Sequence, residues 1–288
     1  MMTQDEIHDF YRRPGRMTVS PPGVLENLPR DIPALCETVQ GLLLHEHWSP
    51  AYGETLLPVR RAESQIRAVK ELLGRAAEHD PAPLTKPRPP GRRVVGVCRH
   101  FTLVAVAALR ARGVPARARC GFATYFERGA FIDHWVAEYW QDDERRWVLV
   151  DAQLDEVHKR RIKPDFDPLD VPCDRFIVAG DGWRLWRSGA EDPRKFGILD
   201  FRGAWFIANN VLRDFAALNN MEMLPWDMWG PMAREDEGLD RPLFDRLAAL
   251  TLDADRRFDE IRALYDADER LRVPATVFNA LLNRYDPV

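Results

Sequence analysis

The stretch Gly96-Val97-Cys98-Arg99-His100-Phe101-Thr102-Leu103-Val104-Ala105-Val106-Ala107-Ala108-Leu109-Arg110-Ala111-Arg112-Gly113 constrains the fold more than any other part of the chain. From Phe101 to Leu109 nearly every position is apolar. A helix with no polar face belongs inside a fold, and Gly113 supplies its stop. Cys98 falls in the first turn of this helix, where unpaired N–H groups and the positive end of the helix dipole favour the thiolate, the nucleophilic form of cysteine. Free cysteine is also common as plain core filler, so the thiol needs partners before it can be read as chemistry.

Two partners follow in chain order. Val114-Pro115-Ala116-Arg117-Ala118-Arg119-Cys120-Gly121-Phe122 reads as a short alternating strand, and Asp133-His134-Trp135-Val136-Ala137-Glu138-Tyr139-Trp140 has strong strand composition with His134 at its start. Arg146-Trp147-Val148-Leu149-Val150-Asp151 is a further run of aromatic and β-branched residues, reached through the polar turn Gln141-Asp142-Asp143-Glu144. A thiol, an imidazole and a carboxylate thus arise from one helix start and two adjacent strands, the logic of nucleophile, base and orienter. His100 is nearer to Cys98 in sequence, but residues two apart on a helix point about 200° away from each other, which turns His100 from the sulfur.

These blocks, Gly96-Val97-Cys98 before an apolar helix, Leu109-Arg110-Ala111-Arg112-Gly113-Val114-Pro115-Ala116-Arg117, Asp133 to Tyr139 and Arg146 to Asp151, resemble the catalytic core of the transglutaminase-like proteins, relatives of the papain-like cysteine hydrolases. The resemblance covers about Arg92 to Asp155, with 36 positions from Cys98 to His134 and 17 from there to Asp151. Many members of that family continue Asp-Pro-Thr, whereas this chain has Asp151-Ala152-Gln153-Leu154-Asp155.

The resemblance implies an α+β fold with a papain-like transglutaminase core, the buried nucleophile helix lying against an antiparallel sheet. It implies Cys98 as nucleophile, His134 as base and Asp151 as orienter, with no metal and no organic cofactor. The substrate would be a small-molecule or peptide amide or ester. Water would resolve the acyl-enzyme in a hydrolase or amidase, the leading reading, and an amine would do so in a transglutaminase-type transfer. A non-enzymatic binding scaffold is the third reading, because folds are reused without chemistry. Animal transglutaminases use an upstream tryptophan N–H in the oxyanion hole, which makes Trp48 the candidate second donor beside the Cys98 N–H, with Tyr52 as runner-up; packing alone would also account for that tryptophan.

The rest of the chain bounds this reading. The 41 basic and 45 acidic residues leave a net charge of −4, so no basic field points to nucleic acid or an anionic membrane. The four cysteines are dispersed, without a C-x-x-C pair that would suggest a zinc ribbon. The N-terminus has early acids and no apolar signal region, and no segment approaches a membrane span, so a cytoplasmic protein is expected. The oligomeric state stays open.

By composition and period, residues 1–30 read as an N-terminal arm, 31–200 as the catalytic domain with its core at 92–155, and 201–288 as a helical C-terminal region packed on that core. Helices are expected from Asp31 to about His47 and from about Pro58 to Glu78, the second with Glu63 on its wet side. His45 and His47 lie two apart, which argues against a shared metal on a helix. Asp165, Asp167, Asp170 and Asp174 lack the glycine and late glutamate of a calcium loop. The helix over Gly203 to Leu218 is expected to keep Asn209, Asn210, Arg213 and Asp214 on a solvated face, and further helices are expected at Leu243 to Leu252, Asp253 to Tyr265 and Pro274 to Tyr285. Trp183 to Trp186 either wall a pocket or pack. Trp205, Phe206, Trp226 and Trp229 form an aromatic concentration in which Trp226 and Trp229 are pocket candidates that would shield an acyl-enzyme, or else knit the helices together.

Overall fold

The computed structural model describes residues 2–288, so the first residue of the expected arm lies outside the described residues. The chain is mixed helix and sheet. Its first part comprises α1 (Gln4–Arg12), α2 (Ile32–Leu42), β1 (Leu43–His45), α3 (Pro58–Arg61), α4 (Val69–His79), β2 (Val94–Gly96), α5 (Cys98–Ala111), β3 (Ala116–Ala123), β4 (Phe131–Gln141), β5 (Arg146–Val150) and α6 (Glu156–Ile162). There follow β6 (Phe176–Val178), α7 (Ala179–Arg187), β7 (Phe196–Ile198), β8 (Phe201–Arg202), α8 (Ala204–Ala217), β9 (Asp227–Met228), α9 (Arg241–Leu252), α10 (Phe258–Ala267), β10 (Thr276–Asn279) and β11 (Arg284–Pro287). Two compact units result: His8–Ala118 with Val136–Val171, and the N-terminal residues to Ile7 with Arg119–Trp135 and Pro172–Val288. The boundaries expected at 30 and 200 both fall inside these units.

The unit holding Cys98 is built round α5, of which every residue from Cys98 to Arg110 is buried. Each fully buried Leu, Val or Phe of such a helix contributes about 1.5–3 kcal/mol, and the polar end is accommodated because the Arg110 guanidinium donates to Ala116 O at 2.8 Å and to Thr18 Oγ1 at 3.1 Å. Helices α2 and α4 and strands β1 and β2 pack against it. Helix α2 is capped by Asp31, whose side chain accepts from the Ala34 N–H at 3.0 Å. It ends at Leu42 instead of running to about His47: Leu43, Leu44 and His45 are fully enclosed and pair in parallel with Val94, Val95 and Gly96, so a tertiary strand partner overrides helical continuation. The helix expected from Pro58 to Glu78 is likewise interrupted, by a 3-10 turn at Ala62–Gln65.

The N-terminal stretch supplies Tyr11 and Met17 to the buried interior of this unit. Tyr11 stands edge-on to Trp147 at 5.7 Å, and the Arg117 guanidinium lies 3.9 Å over the Trp147 ring while pairing with Glu138. Strands β4 and β5 are antiparallel, from Ala137 opposite Val150 to Gln141 opposite Arg146, in keeping with the strand composition of the two runs and the polar turn between them. Arg145 takes the left-handed conformation that closes the turn between them.

In the unit holding His134, Gly121 to Ala123 of β3 pair antiparallel with β6. A side chain at Gly121 would place its Cβ 2.1 Å from Ile177 O, so this close strand approach requires glycine. Phe131 and Ile132 of β4 pair in parallel with β7, which turns back antiparallel onto β8. Helices α7, α8 and α9 pack on one another. The solvated face expected on α8 does not exist: Asn209, Asn210, Arg213 and Asp214 are all buried. The helix expected from Pro274 to Tyr285 is also absent; Thr276–Asn279 and Arg284–Pro287 form a hairpin that continues onto β9. Leu281 and Leu282, which completed the helical period, sit exposed at its turn, while the β-favouring run Thr276-Val277-Phe278 takes the strand. Among the described residues no helix is long and apolar enough to cross a membrane.

Candidate active site

Strand β2 carries the chain into α5. Val97 is its N-cap, in extended conformation, and Cys98 is its first residue, buried at 6 % exposure. Because β1 and β2 are parallel, the segments that leave their ends depart from the same edge: α5 after β2, and the 3-10 segment Glu46–Tyr52 after β1, with His45 opposite Gly96. The pairing therefore brings the segment of Trp48 and Tyr52 to the edge from which Cys98 emerges.

The neighbours of Cys98 on the helix are committed elsewhere. His100 accepts from the Val97 N–H through Nδ1 at 3.0 Å and donates from Nε2 to Ile66 O at 3.0 Å, so both ring nitrogens are used. Burial, with Arg99 beside it, pushes this imidazole down to about 3 and keeps it neutral. It caps the helix. Gly96 exists for the same ring, since a Cβ there would lie 2.8 Å from His100 Cγ. From the 3-10 turn Ala62–Gln65, Glu63 accepts from the Val95 N–H at 2.8 Å, from Arg60 Nε at 3.0 Å and from His79 Nε2 at 2.7 Å. Far from facing water as its helical position predicts, Glu63 is buried and holds the strand that delivers Cys98.

Asp151 follows β5 directly and is 1 % exposed. Its N–H donates to Pro168 O at 2.8 Å, and its Oδ1 accepts from the Gln153 N–H at 3.0 Å. Burial, reinforced by the negative charge of Asp151, pushes the Cys36 thiol up to about 12, which leaves that cysteine inert at neutral pH.

A further constellation, which sequence reasoning missed, surrounds the start of α6. Asp155 is the N-cap of α6 and accepts from the N–H groups of Val157 and His158 through Oδ1, at 2.9 and 3.1 Å. The same oxygen meets His158 Nδ1 at 2.8 Å, and Oδ2 accepts from the Tyr52 hydroxyl at 2.7 Å. Burial raises the Asp155 carboxyl, but its bonds from His158 and Tyr52 prevail and hold it down at about 2. Burial and the same carboxylate push the Tyr52 phenol well above its ordinary value. Trp48 lies against the His158 ring, centroids 4.3 Å apart, and an open cleft of about 230 Å³ beside it is lined by His47, Trp48, Pro50, Ala51 and Arg161. The readable signal was the Asp-x-x-His start of α6; the long-range partner Tyr52 had none.

Cys98, Asp151, Trp48 and Tyr52 belong to one unit, and His134, Trp226 and Trp229 to the other. His134 is buried on β4 among aromatic rings, with Phe126 at 5.0 Å, Tyr125 at 5.9 Å and Phe176 at 6.3 Å, all near edge-on. Its neighbour Asp133 accepts from Asn210 Nδ2 at 2.7 Å. Trp229 is buried and donates from Nε1 to Leu271 O at 3.3 Å, whereas Trp226 is half-buried and its carbonyl accepts from the Ala280 N–H. Trp183 packs: it is buried and donates to Asp245 at 2.7 Å. Trp205 donates to Arg202 O and lies 5.4 Å from the Phe206 ring.

Residues 60–152 match the family model of the transglutaminase-like superfamily. The matched stretch, less than half of the chain, begins within α3, includes α4 and spans the positions of Cys98, His134 and Asp151. At the level of the superfamily this points to thiol-dependent acyl transfer or hydrolysis. No curated protein and no solved structure matches the chain.

Proposed function

We propose that the protein is a cysteine-dependent acyl-transfer enzyme that cleaves an amide or ester through an acyl-enzyme on Cys98, with water as the acceptor. The observation that carries the reading is the setting of Cys98: the first residue of a fourteen-residue helix buried along its length, with the adjacent His100 fully committed to capping. A thiol so placed meets the unpaired N–H groups of the helix start, which, through the Cys98 N–H, can hold a developing oxyanion.

In the proposed cycle the Cys98 sulfur attacks the substrate carbonyl carbon and its proton passes to His134. The C–N or C–O bond then breaks, and His134 returns the proton to the departing amine or alcohol. Water, deprotonated by the same imidazole, attacks the thioester carbon; the C–S bond breaks, releasing the acid and restoring the thiol. Asp151 keeps the imidazole in its working tautomer. Trp48 is the proposed second oxyanion donor, supported by the shared edge of β1 and β2. The substrate is a small molecule or peptide, and the reaction takes place without a cofactor.

A thioester probe with a leaving thiol tests this directly. Intact-mass analysis after rapid quenching is expected to show one acyl adduct, mapped to Cys98, which decays to free acid in water. Cys98→Ala abolishes both adduct and turnover. Adduct on another residue, or turnover retained in Cys98→Ala, overturns the proposal, and added amine converting the product from acid to amide would move the assignment to a transferase.

A further inference from the structure

We propose that His158 is a positioning residue for this site: its ring face seats Trp48, and its Nε2 edge fixes Gln153, which in turn holds Asp151. The inference rests on the reading of Cys98 as a nucleophile served by Asp151, and lies wholly within the unit that contains both.

The proton positions follow from chemistry. Asp155 caps α6 and takes donors on both oxygens, so it is a carboxylate that accepts. The Tyr52 hydroxyl must then donate to Oδ2, and His158 Nδ1 must carry the ring proton that faces Oδ1. His158 Nε2 is left with its lone pair, and the group that meets it, 3.4 Å away, is the amide nitrogen of Gln153, a donor. Tautomer and amide orientation, fixed from opposite ends of the chain of contacts, agree. The orientation also leaves Gln153 Oε1 buried without a hydrogen-bond partner among the described residues. Buried acceptors of this kind are uncommon, and this one persists because the other half of the amide is committed to His158. The Gln153 backbone N–H completes the chain at Asp151 Oδ1, 3.0 Å away.

His158 therefore joins two groups that the proposed reaction requires in register. On its face is Trp48, 4.3 Å between centroids; through its edge and Gln153 it reaches the triad carboxylate. Tyr52 serves here as the donor that settles Asp155 and, through it, the tautomer. This is a second position for a residue otherwise considered for the oxyanion hole.

Alkylation of Cys98 by iodoacetamide at fixed neutral pH, followed by peptide mass mapping of the full chain, tests the inference without knowledge of the substrate. His158→Phe keeps a ring beneath Trp48 but removes both nitrogens; Gln153→Met keeps the backbone donor to Asp151 but removes the amide. Each is expected to slow Cys98 alkylation on the order of tenfold, since a general base is worth 10²–10⁴ and here only its orienting group is disturbed. The double variant should be no slower than either single one, as members of one chain of contacts are non-additive. Mere loosening of the fold would expose the buried thiol and speed the reaction, so the sign separates positioning from damage. Rates at or above that of the parent chain, or losses that multiply in the double variant, overturn the inference. Should His158→Phe fail to fold, Gln153→Met and Tyr52→Phe, each a smaller change, decide it by the same sign. Absence of an acyl adduct on Cys98 in the parent chain would instead sink the functional reading, and leaves the alkylation comparison to be scored by itself.

Discussion

Helices α5 and α8 are of equal length, fourteen residues each, and both are buried almost throughout, one in each unit. Their sequences give opposite impressions. Helix α5 is apolar on all sides from Phe101 to Leu109, and its burial can be read directly from that run. Helix α8 carries Asn209, Asn210, Arg213 and Asp214, which read as a wet face. Every one of these four is engaged: Asn209 exchanges hydrogen bonds with the backbone of Ala233 in both directions, Asn210 donates to Asp133, Arg213 donates to Asn210 and to Asp227 O, and Asp214 takes two bonds from Arg119 and one from the Cys120 N–H. Polar pattern thus reports solvation only where the rest of the chain offers no partner. One helix is buried by composition, the other by long-range satisfaction of its polar groups.

The sharpest way to break this comparison is to remove a partner from α8. Asp214→Ala leaves the Arg119 guanidinium buried without its carboxylate, and a stability loss of about 3–5 kcal/mol is expected in urea unfolding. A loss under about 1 kcal/mol would show α8 to depend on its apolar residues as α5 does. A smaller effect is expected at the start of α5, where shape matters more than charge. Gly96→Ala drives a methyl group into the His100 ring and should cost about 1–3 kcal/mol as overpacking, detectable as a lowered Tm; an unchanged Tm would mean that the ring can move without penalty to the cap.

The smallest effect concerns α6, whose first turn follows the pattern of α8. Asp155 is held at about 2, below its ordinary value of 3.8. A carboxyl depressed on folding contributes stability that is complete above its unfolded value and is lost as pH falls through the folded one. The stability advantage of the parent chain over Asp155→Asn should therefore shrink between about pH 4 and about pH 2. Parallel stability curves for the two proteins across that window would remove Asp155 from the acid sensitivity of the fold.

The same contrast explains what could be read from the amino-acid sequence. Helix α5, the strands β4 and β5 that precede or hold His134 and Asp151, and the turn joining them are specified by local period and composition, and all appear. His100 could be set aside by helical geometry, and its two committed nitrogens agree. Elements that depend on distant partners were opaque. Glu63 sits in a helical pattern, and only Val95, Arg60 and His79 make it a buried anchor. Leu43 to His45 continue the period of α2, and only β2 turns them into strand. The hairpin at Thr276–Pro287 was hidden by Leu281 and Leu282, apolar residues that fit a helix but stand in water at the turn. Tyr52 and Asp155 are more than a hundred positions apart, a separation at which spacing carries no information.

The short parallel ribbon of β1 and β2 has a consequence for how such a chain can diversify. It clamps both ends of the excursion between His45 and Val94 side by side, and closing a longer loop across fixed ends costs only about 0.6 kcal/mol for each doubling of its length. Beyond the ribbon, Glu63 at Val95 and Ile66 at His100 are the ties within this excursion that bear on the helix start. Residues can be inserted or deleted after Tyr52 while Cys98 stays where it is, whereas the proline-rich stretch from Asp80 to Pro90 is held by the buried Arg88, whose N–H donates to Gly41 O. That part of the excursion is free to vary over generations around a helix start that need not be rebuilt each time.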